Sequence, residues 1–189
     1  LIARETTAQK IIAEKGATFI HPYDNAEVIL GQSASAKELF EDYSDLDIFV
    51  CPVGGGGLLA GSILSRDYFS PNTKIYAAEP KGADDAYQSF QAKKLIPQTD
   101  PNTIAEGLLT SLGEANFPII LNGVENVLTC KDEEIVAAMR LIWERMKIII
   151  EPSCAVPLAV ILKNKTIFEN KKVGVILTGG NVDLAKLPF

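Results

Sequence analysis

Histidine is nearly absent from this sequence, and that scarcity excludes several kinds of catalytic site. The 189 residues contain a single histidine, His21, so neither a Ser-His-Asp nor a Cys-His catalytic set can be assembled from them. Because a proline follows His21, we expect it to end a strand rather than to act as a base or a ligand. Cys51, Cys130 and Cys154 include no pair at zinc-binding spacing. Their odd number and apolar surroundings are typical of reduced core residues in a cytoplasmic protein.

The sequence also lacks an excess of positive charge and a long apolar run. Its 18 Lys and Arg residues against 24 Asp and Glu residues give a net charge of -6, which argues against a nucleic-acid partner. No apolar run reaches the roughly 20 residues that span a membrane, and no signal peptide stands at the front. With 47% hydrophobic residues, we expect one globular domain, or one and a piece, without a membrane partner.

Short apolar segments alternate with segments of helical spacing along the chain. This alternation predicts an α/β fold with an open, mainly parallel sheet and helices on both faces. Residues 92–118 are expected to form a long, partly irregular crossing, and Thr129 with Asp132 resembles a capping box. The expected strands are 18–20, 47–51, 74–78, 126–129 and 173–177, and the expected helices are 4–17, Asn25 through Phe40, 58–69, 131–147 and a segment after Pro152.

Four consecutive glycines follow the apolar segment 47–51 and precede a helical segment. Because glycine has no side chain, the backbone N–H groups of Gly54, Gly55, Gly56 and Gly57 are free to point at one small anion. The positive end of the following helix dipole is directed to the same point. An ordinary turn needs one glycine, and each extra glycine costs folding entropy. The pattern therefore predicts a phosphate site.

A second glycine loop, Thr178-Gly179-Gly180, follows the last expected strand. Because the carboxyl ends of parallel strands meet at one sheet edge, both loops are expected at the edge where such sheets bind ligands. The second loop would let a flat molecule approach the backbone, with the Thr178 hydroxyl as donor or acceptor. Taken alone, the segment fits an ordinary strand-to-helix turn equally well.

Two further segments carry carboxylates. Residues 79–85 combine Glu79, Asp84 and Asp85 with free carbonyls around a turn, a mixture of oxygens that suits Mg²⁺ or Ca²⁺. Spacing alone favours the simpler interpretation of a solvated, acidic helix start. Glu151 lies at a junction between two helices, from which its carboxylate would be able to face the ligand cleft, and Ser153 is interpreted as a helix cap.

Taken together, six ordered segments closely resemble the serine racemase and serine/threonine dehydratase family. These enzymes use pyridoxal 5'-phosphate (PLP) and have fold type II, the tryptophan synthase β-like fold. The similarity extends over almost the whole chain. The segments are VGGGGL at 53–58, AEP at 78–80 followed by ADD at 83–85, TIAEG at 103–107, WERMK at 143–147, EPS at 151–153 and GGNVD at 179–183.

The resemblance implies a role in PLP binding for both glycine loops. Backbone amides of the first loop would hold the phosphate, and Thr178 would hydrogen-bond the pyridine nitrogen, where relatives often have Ser or Cys. Glu151 matches a carboxylate near the cofactor and is the catalytic candidate. The implied cofactor-binding residues are Gly54, Gly55, Gly56, Gly57, Leu58, Gly107, Thr178 and Gly179.

The resemblance also implies a metal site and a substrate site. Glu79, the Ala83 carbonyl and Asp85 would form a structural Mg²⁺ or Ca²⁺ site, which reverses the interpretation from spacing alone. Arg4 and Thr110 match positions near the substrate carboxylate, with Thr110 in place of Ser. The substrate would be a hydroxy amino acid such as L-serine or L-threonine.

One departure from the family sets the expected domain organisation. The family carries its Schiff-base lysine in a Ser-Phe-Lys-x-Arg-Gly segment, which this sequence does not contain. We therefore expect residues 1–24 to be the tail of a small, mobile domain and residues 25–189 to be most of a large PLP-binding domain, with the lysine on a missing N-terminal segment. The complete enzyme is expected to be a cytoplasmic homodimer that forms a 2-oxo acid and ammonia, with serine racemisation as a second activity. This chain alone would be inactive.

Two other functions remain open at this point. Gly55-x-Gly57-x-x-Ala60 fits a relaxed dinucleotide-binding fingerprint, and Glu79 stands near where a ribose-binding acid is expected, so an NAD-type domain is one alternative. That alternative leaves the loop at 179–181 unexplained. A non-catalytic fragment with the PLP fold is the other alternative.

Overall fold

A single parallel sheet organises the chain. The computed structural model describes the backbone of residues 2–189 and the side chains of residues 6–189. The four strands stand in the order β3-β2-β1-β4, and every neighbouring pair is parallel. This arrangement confirms the predicted open parallel sheet. The strands are β1 (Ile48–Pro52), β2 (Lys74–Pro80), β3 (Asn126–Cys130) and β4 (Val173–Val175).

Helices cover both faces of the sheet, as the alternation predicts. Side chains of a strand alternate between faces, so Val50 of β1 lies in one buried cluster, while Phe49 and Cys51 lie in the other. The helices are α1 (Ile2–Lys15), α2 (Ala26–Gln32), α3 (Ala34–Asp42), α4 (Gly57–Phe69), α5 (Asp85–Ala92), α6 (Asn116–Gly123), α7 (Asp132–Met146), α8 (Pro152–Lys163) and α9 (Lys165–Phe168), with 3₁₀ turns at Lys81–Ala83, Glu106–Leu108 and Leu184–Lys186.

Each buried cluster belongs to a different set of helices. Helices α7 and α8 contribute Ile135, Met139 and Val156 to the cluster around Val50. Helices α2, α3, α4, α5 and α6 contribute the helical residues of the cluster around Phe49, which are Ile29, Ala36, Phe40, Leu59, Ala60, Ile63, Ala86 and Ile120. The sheet is therefore the middle of three layers, and its carboxyl edge is left to the loops.

Two predicted elements at the start of the chain differ from the structure. The strand predicted at 18–20 is not formed: Phe19 is 51% exposed and Ile20 is 65% exposed, and an apolar segment is a strand only when another strand pairs with it. The single helix predicted from Asn25 through Phe40 is divided at Ser33, whose N–H and Oγ both donate to the carbonyl of Leu30. The Asn25 cap is confirmed, because its Oδ1 accepts the N–H groups of Glu27 and Val28.

One later expectation is confirmed and two are corrected. The irregular crossing extends from the end of α5 at Ala92 to the start of α6 at Asn116, with one 3₁₀ turn at Glu106–Leu108. Pro118 is tolerated in α6 because it lies in the first helical turn. The predicted capping box is shifted: Glu134 Oε2 accepts the N–H of Lys131 at 2.7 Å, while the Asp132 carboxylate accepts Thr103 Oγ1 at 2.6 Å. Strand β4 ends at Val175, two residues earlier than predicted.

No helix in the described part of the chain is long and apolar enough to cross a membrane. The three cysteines are buried and unpaired. Burial raises the pKa of the Cys51 and Cys130 thiols to about 12, so both thiols are protonated and unreactive at neutral pH.

Candidate active site

A cavity at the carboxyl edge of the sheet brings most of the predicted site residues together. This edge cavity, of ≈ 370 Å³, lies where β1 passes through the glycine loop into α4. A neighbouring cavity of ≈ 610 Å³ shares Gly107, Glu151 and Ser153 with it. The predicted residues that line the edge cavity are Gly54, Gly55, Gly56, Gly57, Leu58, Gly107, Thr110, Glu151 and Thr178.

The glycine loop presents unpaired backbone donors to the edge cavity. The loop residues 54–57 are buried, and within the described chain no acceptor pairs with the N–H groups of residues 54–58. Gly56 adopts φ 91°, and it precedes the first turn of α4. Buried N–H groups are almost always paired in folded proteins, so this set is prepared for an anion. The phosphate that the sequence analysis expects at this loop would supply the oxygens that these donors require.

Steric contacts explain why the loop has no side chains. A Cβ built on Gly55 would lie 2.4 Å from the ring carbons Cγ and Cδ2 of Tyr23, and a Cβ on Gly54 would lie 3.1 Å from the Cα of Leu108. The positive φ of Gly56 is disfavoured for residues with a Cβ. The loop is therefore closely packed against its neighbours, and only glycine fits there.

Glu151 lies between Gly107 and Gly179, two of the glycines that the resemblance assigns to cofactor binding. Its Oε2 accepts the N–H of Asn181 at 3.0 Å, and its own N–H donates to the carbonyl of Gly179 at 3.1 Å. A Cβ built on Gly179 would lie 3.4 Å from Oε1, and one on Gly107 would lie 3.7 Å from it. Glu151 is thus bonded to the second glycine loop, and its carboxylate lies beside Gly107.

Ser153 has a different position from the predicted helix cap. Helix α8 begins at Pro152, so Ser153 is already inside the first turn. Its Oγ is buried and accepts the N–H of Gly107 at 2.9 Å. Because this bond joins residues 46 positions apart, no local sequence signal reveals it. Ser153 fixes the backbone of Gly107 where that residue lines the edge cavity.

Three predicted residues remain to be placed, which are Thr178, Thr110 and Arg4. The exposed Thr178 hydroxyl has no hydrogen-bond partner among the described residues, so it is available to a ligand. Thr110 Oγ1 lies 3.2 Å from a Cβ built on Gly54, which places it beside the glycine loop. The side chain of Arg4 lies outside the described residues.

The turn after β2 buries two carboxylates. Glu79 is 1% exposed and Asp85 is 2% exposed, and neither forms an ion pair with a Lys or Arg in the described chain. Glu79 accepts the N–H groups of Ala86 at 2.9 Å and Tyr87 at 2.8 Å. Burial raises the pKa of Glu79 well above its usual value and that of Asp85 to about 6. The described residues contain no cluster of three or more His, Cys, Asp or Glu side chains that would hold a metal. The metal site expected from the resemblance has only two such side chains, Glu79 and Asp85, and its third ligand is the backbone carbonyl of Ala83.

His21 is a turn residue in the structure. Its Nδ1 accepts the N–H of Asp24 at 2.9 Å, and its ring packs edge-on against that of Tyr23 with 4.5 Å between centroids. The sequence analysis expects His21 to end a strand and not to act as a base or a ligand. The strand is not formed, and His21 lies in this turn instead.

Comparison with known proteins identifies the family and the fold of this chain. Residues 2–179 match the family described as pyridoxal-phosphate dependent enzyme. The β-hydroxyaspartate dehydratase of Paracoccus denitrificans is 50% identical over 187 residues, which cover 99% of this chain and 59% of the relative. The crystal structure of serine racemase from Dictyostelium discoideum has a TM-score of 0.89 at 47% identity, over 97% of this chain and 60% of that chain. The structure of maize serine racemase has a TM-score of 0.92 at 39% identity, over 96% of this chain and 57% of that chain.

The chain therefore spans about 60% of the length of the relatives it matches. The NAD-type alternative is not favoured by these similarities. It also requires Glu79 to reach a ribose bound at the glycine loop, whereas Glu79 is 1% exposed and does not line the edge cavity.

Proposed function

Because this chain belongs to the family of pyridoxal-phosphate-dependent enzymes, we propose that it is the cofactor-holding part of a hydroxy-amino-acid ammonia-lyase. The complete protein converts a substrate such as L-serine, L-threonine or 3-hydroxyaspartate into a 2-oxo acid and ammonia, with serine racemisation as a second activity. The relatives described as dehydratase, racemase and ammonia-lyase support this assignment. The observation that carries it is the set of unpaired N–H groups that shares one cavity with Thr178.

The cofactor supplies an electron sink for the carbanion that forms at the substrate's α-carbon. In our proposal, the N–H groups of residues 54–58 bind the phosphate, and the Thr178 hydroxyl meets the ring nitrogen. A neutral hydroxyl does not enforce protonation of that nitrogen as a carboxylate would. Gly107 and Gly179 let the backbone approach the ring, and Glu151 holds these two segments in place while its carboxylate faces the cofactor.

The substrate and the proton-transfer groups would be held by this chain and a further segment together. We propose that Thr110, beside the glycine loop, and Arg4 bind the substrate carboxylate. No lysine lines the edge cavity in the described chain, which supports a Schiff-base lysine on a segment outside this sequence. Residues 1–24 would then belong to the small domain and residues 25–189 to the large one.

Turnover by the full-length protein tests this proposal. With PLP bound, the full-length protein is expected to release pyruvate from L-serine, or a 2-oxo acid from L-threonine or 3-hydroxyaspartate. A coupled dehydrogenase assay measures the 2-oxo acid, and chiral chromatography measures D-serine. Saturable NAD binding without PLP binding would contradict the proposal. PLP binding with no turnover of any of the three amino acids would instead support the non-catalytic alternative.

We also propose that Glu79, the Ala83 carbonyl and Asp85 bind Mg²⁺ or Ca²⁺. Two buried carboxylates without a cationic side chain are costly to keep ionised, and a divalent cation offsets that cost. The carbonyl of Ala83 accepts no hydrogen bond from a described residue, so it is available as a third oxygen ligand. Hard cations favour such mixtures of carboxylate and carbonyl oxygens.

Addition of millimolar Mg²⁺ or Ca²⁺ is therefore expected to raise the unfolding temperature of the full-length protein. A cation at 100 times its Kd stabilises by about 2.7 kcal/mol, which is an increase of a few °C in Tm for a protein longer than this chain. Asp85→Asn is expected to abolish the increase. The matched control is Asp84→Asn, which changes the neighbouring carboxylate that instead accepts Gln88 Nε2. An Asp85→Asn protein that keeps the full increase would show that this turn is not the site.

We further propose a homodimer in the cytoplasm. The unpaired, buried cysteines are in accord with a reducing compartment, and the dimer follows from the family resemblance. Sedimentation velocity of the full-length protein tests the dimer, and a monomer at micromolar concentration would contradict it.

A further inference from the structure

Asn116, the first residue of α6, lies beneath the glycine loop and is fully buried. Its Nδ2 donates to two backbone carbonyls, those of Gly55 at 2.8 Å and Tyr23 at 2.9 Å. The side chain thus joins the glycine loop to the segment that precedes α2. These partners lie 61 and 93 positions away in the sequence.

The bond to Gly55 determines which way one loop peptide faces. The Gly55 carbonyl accepts the N–H of Gly113 at 3.0 Å as well as Asn116 Nδ2, so both of its lone pairs are used. Neither donor lines the edge cavity, whereas Gly55 and Gly56 do. In a planar trans peptide, the N–H of residue 56 points opposite to the carbonyl of residue 55. Holding that carbonyl against α6 therefore directs the Gly56 N–H into the cavity.

The other atom of the carboxamide shows how the orientation of the Asn116 side chain is determined. Asn116 Oδ1 is buried and has no hydrogen-bond partner in the described chain, which costs folding free energy. Turning the amide over would place Oδ1 against two carbonyl oxygens, so the orientation follows from the chemistry of its neighbours. An apolar side chain would avoid the unpaired acceptor but would lose both donors.

Further contacts hold the same segment on the loop. The ring of Tyr23 covers Gly55 on the side where a Cβ would stand. The Asp24 carboxylate accepts the N–H groups of Glu114 and Ala115 just before α6. The start of α6 therefore binds residues 23 and 24, and Asn116 also donates a side-chain hydrogen bond to the glycine loop.

We propose that Asn116 is a positioning residue for the phosphate site. By fixing the Gly55 carbonyl, it directs the Gly56 N–H at a phosphate oxygen. The inference rests on the proposed function, because it takes PLP as the ligand of the loop. It deepens that function by naming a residue that contacts no ligand and yet sets the affinity for the phosphate group.

The test compares two ligands that differ only in phosphate. The full-length apoprotein is titrated with PLP and with pyridoxal, followed by absorbance, and the ratio of the two Kd values isolates the phosphate contribution because aldehyde chemistry is common to both. Asn116→Ala is expected to weaken PLP binding about tenfold, the value of one hydrogen bond to a charged group, and to change pyridoxal binding less than about twofold. Asn122→Ala is the matched control, since Asn122 is exposed on the same helix and donates to Pro118 O.

Each outcome decides between a positioning and a merely structural role. If Asn116→Ala weakens the binding of PLP and pyridoxal equally, the ratio of their Kd values is unchanged and the inference is overturned. The proposed function is still supported in that case if the wild-type protein prefers PLP to pyridoxal. A wild-type protein with no preference for PLP over pyridoxal would overturn both. If Asn116→Ala does not fold, Asn116→Ser retains a hydroxyl too short to bridge the two carbonyls, and it is expected to show the same reduced ratio.

Discussion

Replacement of Gly55 by alanine is expected to weaken PLP binding to the full-length protein more than about 100-fold. The new Cβ would lie 2.4 Å from the Tyr23 ring, so either the ring or the loop has to move. Movement of the loop misdirects at least two N–H groups, each worth about 1.5–3 kcal/mol to a charged acceptor. Since 1.4 kcal/mol is tenfold in affinity, two lost bonds account for the effect. Titration of the apoprotein with PLP measures it.

Gly31→Ala is the control for this substitution. Gly31 lies in α2 with nothing within 4 Å of a built Cβ, and alanine is favoured over glycine in a helix. We expect this variant to bind PLP as the wild type does. A Gly55→Ala protein with PLP affinity within threefold of the Gly31→Ala protein would contradict the role of the loop.

Gly82→Ala is expected to have the largest effect on stability, a loss of about 3 kcal/mol or more in the free energy of unfolding. A Cβ on Gly82 would lie 1.9 Å from the backbone carbonyl oxygen of Asn102. The two segments are also tied by the bond from Asn102 N–H to Gly82 O, at 2.7 Å. Because both contacts involve backbone, no side-chain rotation relieves the overlap, and the turn that carries Glu79 and Asp85 has to separate from residues 101–103.

Thermal unfolding of the full-length protein measures this effect. A loss of about 3 kcal/mol corresponds to a decrease of roughly 4–5 °C in Tm for a protein longer than this chain. The Gly31→Ala variant again serves as the control, with an expected Tm equal to or slightly above that of the wild type. A Gly82→Ala protein that unfolds within about 2 °C of the wild type would show that the turn accommodates a side chain.

Local patterns in the sequence predicted the sheet and the position of the candidate site. The apolar segments at 47–51 and 74–78 became β1 and β2 because each is short, apolar and followed by turn residues. The glycine loops could be assigned to the same edge because parallel strands end together. The segment 18–20 has the same local pattern but no partner strand. A local pattern does not indicate whether another strand is available to pair with a segment.

Long-range contacts account for what the sequence did not reveal. Asn116 reaches Gly55, and Ser153 reaches Gly107, across 61 and 46 positions. Nothing in the segments around these residues indicates such partners. The carboxylates of residues 79–85 fit a solvated helix start by spacing, and only the resemblance favoured a cation site. Their burial, with no cationic partner in the described chain, is a property of the packed turn rather than of its spacing.

A crystal structure of the full-length protein with PLP tests the central claim most directly. The account predicts phosphate oxygens within about 3 Å of the backbone nitrogens of residues 54–58, and the pyridine nitrogen within about 3 Å of Thr178 Oγ1. A phosphate bound away from the glycine loop, or a ring nitrogen facing another part of the chain, would contradict it.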